Sequence, residues 1–111
     1  MVDKYVPDRG DIVWINFNPQ SGREQAGKRP AFVVSPRSYN QAGSLALFCP
    51  ITRKIKGYPF EVCVDVDGVE GAILVDHIKS LDWKARKLEF IGSTSPSVWS
   101  EVEAKLTVLM H

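Results

Sequence analysis

Two short stretches hold the side chains that could do chemistry. Gly22-Arg23-Glu24-Gln25-Ala26-Gly27-Lys28-Arg29-Pro30 sets one carboxylate among cations, and Pro50-Ile51-Thr52-Arg53-Lys54-Ile55-Lys56-Gly57 places a hydroxyl at a strand end beside more cations. A guanidinium fork matches two oxygens of a phosphate diester and gains as negative charge builds on them. A threonine hydroxyl can donate to the same oxygens without adding charge, and a carboxylate can accept a proton. Such a set brings no nucleophile of its own. It suits a substrate that carries one, as RNA does in its 2′-hydroxyl. The same residues also allow a plain surface ion pair between Glu24 and Arg29.

Other chemistries are excluded by spacing. His77 and His111 cannot make a zinc site with Cys49 and Cys63, each of which sits in an apolar segment. Asp65, Asp67 and Glu70 resemble a calcium loop but lack its remaining ligands and its terminal bidentate glutamate. There is no G-x-S-x-G, no phosphate-cradling glycine loop and no defensible Cys–His pair. Neither a metal nor another cofactor is expected. The two cysteines read as small buried hydrophobes rather than as a disulfide.

Net charge is only +1, but its distribution is uneven. Residues 20–60 carry Arg23, Lys28, Arg29, Arg37, Arg53, Lys54 and Lys56 against Glu24 alone. Residues 61–82 carry Glu61, Asp65, Asp67, Glu70, Asp76 and Asp82 against Lys79. A polyanion feels the local field, not the average. Arg53, Lys54 and Lys56 beside Thr52, with Lys28, are candidate contacts to a single-stranded nucleic acid. Asn16 and Asn18, which lead into the Glu24 loop, are candidates to read base edges.

Elements must position these groups. In Ile12-Val13-Trp14-Ile15-Asn16-Phe17-Asn18 the alternation puts Val13, Ile15 and Phe17 on one face of a half-buried strand, with Asn16 and Asn18 opposite. Phe17 reads as core rather than as a stacking platform. Ala31–Ser35 is a second strand, and one helical turn is expected around Arg37-Ser38-Tyr39-Asn40 before Gly43. Leu45–Thr52, nearly all apolar, reads as a central strand. Phe60, Val62 and Val64 alternate with Glu61 and Cys63 in a fourth. Asp67-Gly68 and Glu70-Gly71 read as turns before a strand at 72–75, and a last strand is expected at 88–91. Ser95-Pro96 then marks a helix start, and Trp99, Val102, Leu106 and Leu109 make its apolar stripe, with Glu101 and Lys105 an exposed pair. Trp14, Trp83 and Trp99 read as packing residues, and Leu109 and Met110 as cover for the core or a partner.

The 111 residues fit one domain, 1–111, mainly β in an α+β chain: a small, SH3-like, partly open barrel with a C-terminal amphipathic helix. No apolar run reaches a membrane span, and the N-terminus lacks a signal-peptide core, so a cytoplasmic protein is expected.

The strings Tyr5-Val6-Pro7-Asp8-Arg9-Gly10-Asp11, Glu24-Gln25-Ala26-Gly27-Lys28-Arg29-Pro30-Ala31, Val34-Ser35-Pro36, Lys56-Gly57-Tyr58-Pro59-Phe60-Glu61-Val62 and Asp76-His77-Ile78-Lys79-Ser80 resemble those of the MazF/PemK toxin endoribonucleases, in order along nearly the whole chain. The resemblance implies a CcdB/MazF-like barrel and a ribosome-independent, sequence-specific cleavage of single-stranded RNA or mRNA. That reaction leaves a 2′,3′-cyclic phosphate and a 5′-hydroxyl and inhibits translation and growth. It carries the family's catalytic arginine onto Arg29, its threonine onto Thr52 and its acidic position onto Glu24, with Arg29 and Thr52 holding the scissile phosphate and Glu24 as base. It implies a homodimer with RNA grooves near its interface and a cognate antitoxin whose acidic tail occupies the basic groove. His77 stands where the best-known members have glutamine; with Lys79 it is a further candidate RNA contact. A gyrase poison of the same fold and a barrel that binds nucleic acid without cutting it are the alternatives.

Overall fold

The computed structural model describes residues 4–17 and 28–111. Glu24 and Asn18 lie outside the described residues. Among the described residues, seven strands make one curled sheet: β1 Asp11–Asn16, β2 Lys28–Val33, β3 Leu45–Thr52, β4 Glu61–Val66, β5 Val69–Leu74, β6 Lys79–Asp82 and β7 Glu89–Ser93. The path runs β4-β5-β3-β2-β1-β7, with β6 joined to β3 off that path. All pairings are antiparallel. β3 is the hub: Phe48–Pro50 pairs β2, Leu45–Phe48 pairs β6 on its other side, and Ile51–Thr52 pairs β5. Splitting one strand between β6 and β5 is what curls the sheet.

Both faces of the curl are covered. Ile12, Phe32, Cys49, Ile51, Val62 and Ile73 fill one side together with Val102 of the terminal helix. Val13, Ile15, Ala31, Phe48, Leu81 and Trp83 fill the other. β1 is therefore buried on both faces, not on one as its alternation implied, and Asn16 is 7% exposed. β6 has no counterpart among the expected strands. Lys79-Ser80-Leu81-Asp82 has only Leu81 to bury, so it carries too little alternation to be read as a strand.

Helix α1, Arg37–Ala42, forms the expected turn before Gly43. Its Asn40 is fully buried: the side-chain amide donates to the carbonyls of Pro7 (2.8 Å) and Ser35 (2.9 Å), while Trp83 Nε1 donates to the Asn40 carbonyl. Helix α2, Pro96–Leu109, starts with proline in its first turn as expected. The Ser95 hydroxyl bonds Ser97 rather than capping the helix. Val102 is fully buried and Trp99 stacks on Phe32 at 6.4 Å with the Arg9 guanidinium 4.2 Å from its ring centroid. The apolar stripe ends early, since Leu109 and Met110 are exposed.

The β4–β5 hairpin corrects two sequence expectations. Asp67-Gly68 is its two-residue turn, both residues at positive φ as the twist of a tight hairpin requires. Glu70-Gly71 is not a turn: β5 already begins at Val69. Gly71 is glycine for another reason. A Cβ there would lie 2.2 Å from the Thr52 carbonyl oxygen, so the two backbones approach too closely for any side chain. Cys63 is likewise exposed, on the solvent side of β4, whereas Cys49 is buried as expected. Burial first, and the Asp76 charge second, push the Cys49 thiol up to about 12.

Candidate active site at the rim of the half-barrel

Strand register alone assembles the site. Ile15 of β1 faces Arg29 of β2, and Ala31 faces Pro50 of β3. Continuing that register by two residues sets Arg29 against Thr52. Thr52 in turn faces Ala72 of β5, which faces Cys63 of β4. Facing residues point to the same side of a sheet, so Ile15, Arg29, Thr52, Ala72 and Cys63 form one row across the curl. Arg29 ends β2 and Thr52 ends β3, which puts a guanidinium and a hydroxyl together where the strands run out into loops.

A cavity of about 230 Å³ opens at that point, lined by Arg29, Thr52, Arg53, Trp14, Pro30 and Glu70 among others. Thr52 is half-buried; Arg29, Arg53 and Glu70 are exposed. The backbone amide of Lys54 donates to Thr52 Oγ1 at 3.1 Å, which occupies one lone pair and leaves the hydroxyl proton free to be donated into the cavity. The Arg29 guanidinium carbon lies 5.9 Å from the Phe17 ring centroid, and Arg29 enters no ion pair among the described residues. Its charge stays available to an anion in the cavity.

The loop after Thr52 is held by one carboxylate. Glu61 accepts from the backbone amides of Gly57 (2.8 Å) and Lys56 (3.2 Å), which folds the 53–60 segment back over the end of β4. Arg53, Lys54 and Lys56 project from it and are exposed. Lys56 Nζ stands 5.7 Å from the Tyr58 ring centroid.

The remaining candidates are distributed unevenly. Lys28 sits beside Arg29 but is bound to Glu89 at 2.6 Å. Asn16 closes β1, its backbone N–H and carbonyl both bonded to Arg86. His77 lies in the short turn Val75–His77, exposed, with Nε2 3.9 Å from the Asp76 carboxylate. Lys79 faces Phe48, four residues up β3 from Thr52, or about 13 Å along the strand. Neither His77 nor Lys79 lines the cavity. Two residues that do line it, Trp14 and Glu70, are not among the site candidates the sequence offers. Trp14 carried a signal, since the alternation of β1 already set it off the Val13-Ile15-Phe17 face. Glu70 carried none, because Glu-Gly reads locally as a turn.

The fold is thus a mainly β half-barrel with a terminal helix and a rim cavity that presents two guanidinium groups and a hydroxyl. The chain belongs to the PemK-like, MazF-like toxin family of type II toxin–antitoxin systems, whose sequence model matches residues 8–110. It is 44% identical over 110 residues to the endoribonuclease toxin MazF of Escherichia coli K12, with 99% of each chain covered. Among solved structures, MazF from Deinococcus radiodurans superimposes with a TM-score of 0.86 at 48% identity, covering 96% of this chain and 98% of that one. A MazE–MazF complex from the same organism matches with a TM-score of 0.84 at 44% identity, covering 96% and 97%.

Proposed function

We propose that this chain is the endoribonuclease toxin of a toxin–antitoxin pair and that it cleaves single-stranded RNA through the substrate's own 2′-hydroxyl. The observation that carries the reading is the register that sets Arg29 against Thr52 over an open cavity, with the Thr52 hydroxyl proton left free by the Lys54 amide. Arg29 and the Thr52 hydroxyl hold the two non-bridging oxygens of the scissile phosphate. Their contacts strengthen as the phosphorus becomes pentacoordinate and its oxygens gain charge. A carboxylate takes the 2′-hydroxyl proton; family resemblance gives that part to Glu24. Arginine stays protonated, so Arg29 serves as electrostatic clamp and not as base. The products are a 2′,3′-cyclic phosphate and a 5′-hydroxyl, and the loss of intact mRNA arrests translation.

The exposed cations Arg53, Lys54 and Lys56 track the backbone beside the scissile phosphate. The partner is a cognate antitoxin whose acidic segment competes for that surface, as the match to a MazE–MazF complex supports. The active species is a homodimer acting in the cytoplasm. Incubating the purified protein with a long single-stranded RNA in EDTA, and inspecting the new ends, tests the chemistry directly. Cyclic phosphate ends that vanish when the upstream nucleotide is 2′-deoxy support it; cleavage indifferent to that substitution overturns it.

A further inference from the structure

Transesterification needs a proton acceptor within reach of the 2′-hydroxyl. Among the described residues that line the Arg29–Thr52 cavity, Glu70 is the one carboxylate. Its position is fixed by strand pairing. Thr52 faces Ala72, so Glu70, two residues earlier on β5, lies on the same side of the sheet as a diagonal neighbour of Thr52. Diagonal neighbours stand about 7–8 Å apart at Cα, a separation that a glutamate side chain spans. The close contact at Gly71 locks this spacing, since β5 rides directly on the Thr52 carbonyl. The carboxylate is exposed and makes no hydrogen bond or ion pair with a described residue, although Arg29 and Arg53 share its cavity. It is thus placed to act and not tied up in structure.

Building on the endoribonuclease reading but departing from the part that resemblance gives Glu24, we propose that Glu70 is the carboxylate that accepts the proton from the attacking 2′-hydroxyl at the Arg29–Thr52 phosphate site. The 2′-oxygen bonds to phosphorus as its proton passes to Glu70. The bond from phosphorus to the 5′-oxygen breaks, and that oxygen takes a proton from water in the open cavity. Glu70 then returns its proton to solvent, so no metal, oxidant or second substrate enters the balance. Asp65 does not serve, because it faces Glu70 from β4, one strand farther from Thr52, and does not line the Arg29–Thr52 cavity; the groove it lines with Cys63, Ile55 and Glu70 itself does not reach Thr52. The charged and titratable groups that share a cavity or groove with Glu70 are Asp65 and Cys63 on β4, Arg29 at the end of β2, and Arg53 following β3.

The test compares Glu70→Gln and Glu24→Gln with the parent chain in single-turnover cleavage of one defined RNA across pH, with circular dichroism to confirm folding. A base contributes about 10²–10⁴-fold, so Glu70→Gln should lower the rate constant by that factor and flatten its fall on the acid side. Glu70→Asp should recover part of the rate, while affinity for the uncleavable 2′-deoxy RNA stays within about 3-fold of the parent value. Glu24→Gln should keep the acid-side fall. A folded Glu70→Gln variant with the parent's pH profile, or loss of the acid-side fall in Glu24→Gln alone, overturns the assignment while leaving the nuclease reading intact. Absence of RNA cleavage by the parent chain sinks that reading itself.

Discussion

Gly71→Ala is the most informative single substitution, because one methyl group links the packing of the sheet to the chemistry at its rim. The new Cβ would lie 2.2 Å from the Thr52 carbonyl oxygen, 3.0 Å from the Thr52 carbonyl carbon and 3.3 Å from Ile51 Cγ2. The two closest atoms are backbone atoms of a hub strand, which cannot swing aside as a flexible side chain does. Ordinary carbon–oxygen contact lies beyond 3 Å, so β3 and β5 must separate by roughly 1 Å at the residue that carries the hydroxyl. Overpacking of this kind costs about 1–3 kcal/mol of stability. A misplacement of about 1 Å at a catalytic group costs about 10²-fold in rate. Urea denaturation should show the first, and cleavage of a defined RNA at a temperature where the variant is fully folded should show the second. Gly43→Ala is the control, since a Cβ there meets nothing within 4 Å. A Gly71→Ala variant matching the parent in both midpoint and rate would refute the claim that this contact positions Thr52.

Arg29→Ala and Thr52→Val should each lower the cleavage rate roughly 10²–10³-fold with folding intact, as loss of one charge-stabilising contact does; parental activity in either would remove that residue from the site. Burial holds the Cys49 thiol protonated to about pH 12 against 9.0 for a free thiol, so above pH 9 the unfolded chain releases a proton that the folded one keeps. Stability below pH 9 is unaffected, and between pH 9 and 12 it falls by up to about 1.4 kcal/mol per pH unit from this group, a slope that Cys49→Ala should lack in denaturant titrations. Asn40→Ala leaves the Pro7 and Ser35 carbonyls without their buried donor and should cost about 2–4 kcal/mol, read as a lower melting temperature with the cleavage site unaltered. The logarithm of RNA affinity should fall linearly with the logarithm of salt concentration, and Lys54→Ala should reduce that slope by about 0.7, the share of one phosphate contact on a single strand; an unchanged slope would place Lys54 away from the backbone path.

Much of this fold is legible from periodicity because most of its strands bury side chains in a regular pattern. The apolar run Leu45–Thr52 announced the hub strand, and the Ser95-Pro96 start with Trp99, Val102 and Leu106 announced the terminal helix. Arg29, inside a recognisable string, and Thr52, at the end of the apolar strand, do line one cavity. Elsewhere the local signal misled for identifiable reasons. The half-buried reading of β1 fails because a strand paired on both edges within a curled sheet is here covered on both faces, which sequence alternation cannot express. β6 escaped because its one buried residue, Leu81, leaves no pattern. The apolar neighbours Val62 and Val64 suggest burial for Cys63, yet those point inward and alternation turns it out.

Glu70-Gly71 shows most clearly where local reading ends. A glycine after an acidic residue suggests a bend, and here the bend lies three residues earlier, at Asp67-Gly68. Gly71 answers instead to the backbone of a strand about twenty positions away, and nothing between residues 52 and 71 records that proximity. The same tertiary contact that demands glycine at 71 sets the side chain at 70 diagonal to Thr52, so misreading the pair as a turn also hid the carboxylate from the site. The side chains that meet at this rim are thus set by register and not by motif. One shift of register between β3 and β5 would turn Glu70 to the opposite face while leaving every family string intact. The Asp67-Gly68 turn fixes the pairing of β4 with β5 and sets Gly68 in the lining of the same cavity, so the hairpin shapes this rim beyond Glu70 itself.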